Sequence, residues 1–79
     1  MQFFLQTDTP VLALFEPTGQ QYELDPGDPV LVKFFDGDDG EIRWFKGAII
    51  VCSPSLGYTR AWDSNNEEID IGPESVDAL

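Results

Sequence analysis

Seven glycines and six prolines interrupt this chain so often that no window much longer than about ten residues keeps an unbroken helical period. The pieces between them are rich in β-branched and aromatic residues, the pattern of short strands bounded by turns. Strands are expected over Gln2–Gln6, Val11–Glu16, Gln20–Leu24 and Val30–Phe35. A further strand is expected over Glu41–Lys46, continuing through Gly47 into Ala48–Cys52, with Gly47 as a bulge that bends one long strand. Gly57–Trp62 and Glu67–Ile71 complete the set. Residues 1–71 read as one small domain and 72–79 as a frayed tail, in which Glu74–Ala78 has the make-up of a single helical turn.

Five to seven short strands in a chain of 79 residues are too few for a large sandwich. The expected fold is all-β: a small antiparallel barrel or strongly bent sheet, SH3-like or OB-like, because closure removes exposed edges. The segment Leu24-Asp25-Pro26-Gly27-Asp28-Pro29-Val30-Leu31-Val32 resembles the loop-into-strand entry common in SH3-like barrels.

The stretch 30–46 reads as a hairpin with an acidic tip. A five-residue loop over 36–40 pairs Phe35 with Glu41 and Phe34 with Ile42. That register puts Val30, Val32, Phe34, Ile42 and Trp44 on one apolar face, whereas a slip of one residue would mix charge into both faces. With Ile49 and Val51 these residues form the expected core. The other face collects Leu31, Lys33, Phe35, Glu41, Arg43 and Phe45, aromatics beside cations, as in the centre of a protein interface. Tyr58, Arg60 and Trp62 alternate and so share one face of their strand. That face either packs on the core with Arg60 reaching to solvent or meets a partner.

Charge narrows the partner. Fifteen acids oppose four bases, a net charge of −11. Residues 1–29 carry five acids and no base, and residues 61–79 six acids and no base. The whole excess thus lies in the two ends. Such a field repels nucleic acid and anionic lipid and speeds encounter with a basic protein surface. No apolar run is long enough for a membrane span, and the N-terminus lacks the positive region of a secretory signal. A single cysteine excludes an internal disulfide and points to a reducing, cytoplasmic compartment.

Chemistry is poorly provided for. There is no histidine, so the commonest general base and metal ligand are missing. One cysteine cannot build a zinc site. Asp36, Asp38, Asp39 and Glu41 fall in the wrong positions for a helix-loop-helix calcium motif and suit a turn tip instead. Cys52 sits in the apolar run Ala48-Ile49-Ile50-Val51-Cys52, as a small buried hydrophobe. The expectation is a non-catalytic protein-binding module without cofactor or metal, docking on a basic protein surface. Its candidate contacts are Phe35, Phe45, Tyr58, Arg60 and Trp62 as anchors, with Asp36, Asp38, Asp39, Glu67 and Glu68 as charged rim. In size and charge the chain resembles small phage and plasmid proteins that inhibit host enzymes by presenting carboxylates in place of phosphates. The alternatives are an adaptor or accessory subunit held by an aromatic patch and, disfavoured by charge, a single-strand nucleic-acid binder that stacks bases on Tyr58 and Trp62. The apolar C-terminal residue Leu79 offers a lesser possibility, capture of the chain end by a strand-addition domain or a protease.

Overall fold

The computed structural model describes residues 1–71, and the expectations for the 72–79 tail lie outside them. The described chain is all-β, with eight strands: β1 (Gln2–Leu5), β2 (Val11–Glu16), β3 (Gln20–Leu24), β4 (Val30–Phe35), β5 (Glu41–Phe45), β6 (Ala48–Cys52), β7 (Tyr58–Trp62) and β8 (Glu68–Ile69). They form two four-stranded sheets and no closed barrel. The front sheet has the order β1-β4-β7-β8 and the back sheet β3-β2-β6-β5. The back sheet is mixed, because its central strands β2 and β6 run parallel.

Alternation along the strands builds one core between the sheets. From the front sheet come Leu5, Val30, Val32, Phe34, Ala61 and Ile69, and from the back sheet Ala13, Phe15, Leu24, Ile49 and Val51. Phe3 and Phe34 meet edge-on at 5.3 Å between ring centroids, a favourable aromatic geometry. The buried hydroxyl of Thr59 lies 2.6 Å from Ser53 Oγ, which satisfies a group that is costly to bury alone.

The expected antiparallel barrel is not formed, because each set of four described strands hydrogen-bonds within its own sheet and β2 runs parallel to β6. Three further expectations are corrected here. The stretch 30–46 is not a hairpin: β4 lies between β1 and β7, whereas β5 pairs with β6, in the other sheet. The segment 36–40 therefore crosses between sheets, with Asp36 at φ 60°. Gly47 is not a bulge. At φ +79° it completes the two-residue turn Lys46-Gly47 that separates β5 from β6, which raises the strand count to eight. Trp44, expected in the core, is 69% exposed. It does sit on the inward side of β5, opposite Ile49, but at an edge strand of the back sheet. Ile42, two residues away, is half-buried against the core.

Candidate functional interface

The front sheet turns one face to the core, and its other face assembles side chains from four strands. The register across it fixes the rows. Phe4 stands opposite Leu31, Leu31 opposite Trp62, and Trp62 opposite Glu68. In the next row Gln2, Lys33 and Arg60 lie side by side. In the last, Phe35 faces Tyr58. Because Thr59 and Ala61 take the core-facing positions of β7, Tyr58, Arg60 and Trp62 are turned outward and half-buried among their neighbours.

Their contacts hold this surface in shape. The rings of Phe35 and Tyr58 stack at 5.0 Å with 11° between planes. Lys33 Nζ stands 5.2 Å from the Trp62 ring centroid, a cation–π contact that positions both side chains. Arg60 pairs with Glu68 at 3.3 Å. Phe4 is 63% exposed. It borders a shallow depression of about 260 Å³ whose floor is Phe4, Pro29, Leu31 and Trp62 and whose wall is Asp63, Ser64 and Asn66.

That wall is a folded turn. Asp63 Oδ1 accepts hydrogen bonds from the backbone N–H groups of Asn65 (2.9 Å) and Glu67 (3.0 Å), and Asn66 adopts φ 64°. Ser64 donates to Asp28, tying the turn to the loop before β4. Asp28, Asp63 and Asp25 lie near Tyr22. Burial first, and then these three charges, push the Tyr22 phenol above its ordinary range.

The residues expected to make contacts divide. Phe35, Tyr58, Arg60, Trp62 and Glu68 come together on the front face, with Glu67 beside them in the turn before β8. Phe45 does not share a face with Phe35. It is exposed at the far end of the back sheet, on the strand joined to Ala48. Asp36, Asp38 and Asp39 lie in the 36–40 crossover. Asp39 accepts from Ser55 N–H (3.0 Å) and Ser55 Oγ (2.6 Å), and these bonds, the side-chain one first, hold its carboxyl below the usual range. Phe4 is the exposed aromatic of this face that sequence reasoning missed. In the pair Phe3-Phe4 either ring can face the core, and only the register of β1 on β4 decides. Among the described residues no group of three potential ligands could hold a metal ion, and no helix is long and apolar enough to cross a membrane.

Comparisons with protein-family models, with curated proteins and with solved structures each returned no match.

Proposed function

We propose that this chain is a small, acidic, non-catalytic protein-binding module that docks on a basic protein surface through the outer face of the front sheet. The observation that carries the reading is the gathering of Phe4, Leu31, Phe35, Tyr58 and Trp62 on one sheet face. The acids Asp63, Glu67 and Glu68 stand at its margin. Aromatic side chains held by their neighbours supply apolar area at low entropic cost, the property of interface anchors. The two cations on the face are engaged within it, Lys33 with Trp62 and Arg60 with Glu68. The surrounding charge of a −11 chain steers a basic partner and sets the association rate. An apolar side chain flanked by lysine or arginine fits the depression beside Trp62, with its charge toward Asp63. Anchoring of this kind favours an adaptor or inhibitor held by apolar contact over a pure phosphate mimic.

The test is a pull-down from the source cell at low and high salt, with the bound protein identified and its affinity then measured on the purified pair. Trp62→Ala should weaken binding about 30-fold, as loss of an anchor does. Glu67→Lys with Glu68→Lys should slow association and flatten its salt dependence while changing dissociation little. Recovery of a nucleic acid in place of a protein refutes the proposal. Binding lost with the charge variant but indifferent to Trp62→Ala would move it to phosphate mimicry.

A further inference from the structure

Among the described residues strand β5 is an edge of the back sheet, bonded to β6 on one side only. Its residues Glu41, Arg43, Trp44 and Phe45 are exposed, with Trp44 at 69% and Phe45 at 57%. An edge strand is a template for another strand, and proteins commonly guard such edges with charge, proline or a bulge. Here two large aromatics stand on it, one on each face.

The backbone groups at the open edge follow from the register. The turn Lys46-Gly47 closes on the pair Phe45–Ala48, and a two-residue turn closes on a hydrogen-bonded pair. By alternation Glu41, Arg43 and Phe45 bond to β6, so Ile42 and Trp44 direct their N–H and C=O groups to the open side. Charge singles out the same strand. With its turn it carries Arg43 and Lys46, two of the four bases in the chain, against Glu41 alone. In a molecule of net charge −11, the strand and its turn carry an excess of one positive charge.

A second copy added antiparallel about a two-fold axis must pair Ile42 and Trp44 with residues of the same parity. Centred on Arg43, the pairing sets the two arginines against each other. Centred on Trp44, it leaves Glu41 without a cation. Centred on Ile42, it sets Glu41 of each copy opposite Arg43 of the other, at the non-bonded positions where side chains are closest. It also sets Trp44 opposite Gly40. The space a Cβ would fill at Gly40 is taken by the buried Phe34 ring, and the incoming indole covers the glycine itself, a pairing that shields edge glycines.

We propose that two copies of this chain associate β5 to β5, antiparallel about Ile42, joining their back sheets into one continuous eight-stranded sheet. The front faces remain open, so the dimer displays two of them, and their combined avidity would exceed that of one. This inference does not depend on what the front face binds.

Sedimentation equilibrium over a range of concentrations tests it with two variants, Glu41→Arg and Arg43→Glu. Both side chains are more than half exposed, at 57% and 58%, so each variant should keep the wild-type circular dichroism. Each alone places like charges across the two-fold and should raise the dimer dissociation constant about ten-fold or more. An equimolar mixture of the two should restore association as a heterodimer, since one variant then presents only cations and the other only carboxylates. Both substitutions in one chain should restore the homodimer. A wild-type protein monomeric to millimolar concentration overturns the proposal. So do variants that dimerise as the wild type does, or a mixture that associates no better than either alone.

Discussion

Gly40→Ala probes how the 36–40 crossover is fitted to the core. A Cβ at Gly40 would stand 2.4, 2.5 and 2.9 Å from Cε2, Cδ2 and Cζ of Phe34. Carbon atoms in ordinary contact lie about 3.5–4.0 Å apart, so the ring must withdraw by about 1 Å. It has little room, being 4% exposed and set edge-on against Phe3. Overpacking of this kind costs about 1–3 kcal/mol. Gly40 is not among the residues at positive φ, so alanine meets no backbone strain there and should gain about 0.4–1 kcal/mol from a less flexible unfolded chain. The clash dominates. A net loss of about 1–2 kcal/mol is expected, which lowers the melting temperature by about 4–16 °C in a domain of this size. Thermal unfolding followed by near-ultraviolet circular dichroism measures it. The sign should reverse in a Phe34→Val background, where valine ends at its γ carbons and carries none of the three clashing atoms. There Gly40→Ala should be neutral or stabilising by about 0.4–1 kcal/mol. Equal destabilisation in both backgrounds, or none in the wild type, would refute the packing argument.

Thr59→Val removes the partner of Ser53 Oγ, 2.6 Å away, and should cost about 1 kcal/mol in a urea melt; adding Ser53→Ala should recover part of the loss, because a half-buried hydroxyl that has lost its partner is worse than none. Asp39 has a lowered carboxyl, so its bonds to Ser55 should persist above the ordinary carboxylate range and be lost only as pH falls through the depressed value. A nuclear magnetic resonance titration of the Ser55 amide reads this directly, and Asp39→Asn should abolish the step. Tyr22 has a raised phenol, so its contribution to stability is complete below the ordinary tyrosine value of about 10 and is lost as pH rises through the higher folded value. Stability measured across the alkaline range should fall less steeply in Tyr22→Phe.

The sequence alone determined the all-β class and the position of most strands. Val11–Glu16, Gln20–Leu24 and Val30–Phe35 have the bounds that their flanking prolines, glycines and acids imply, because turn chemistry is local and read within a few residues. Alternation determined that Val30, Val32 and Phe34 share a face, as do Ile49 and Val51, and all five are buried. It likewise put Tyr58, Arg60 and Trp62 together. Which partner each strand takes is a matter of distant residues, and there only the tertiary structure decided. The segment 36–40 has the composition of a hairpin tip, yet its Asp39 is hydrogen-bonded to Ser55, sixteen positions away, and it leads β5 to the opposite sheet. A local pattern carries no record of that contact. The consequence for the surface is large. Separated from β4, strand β5 exposes Trp44 and Phe45 at an edge. The place that a β4–β5 hairpin would have filled is taken by β7, and that pairing sets Tyr58 on Phe35 and Lys33 by Trp62. Alternation assigns a residue to one of two faces, but the pairing of strands far apart in the chain decides which face meets the core and which meets solvent.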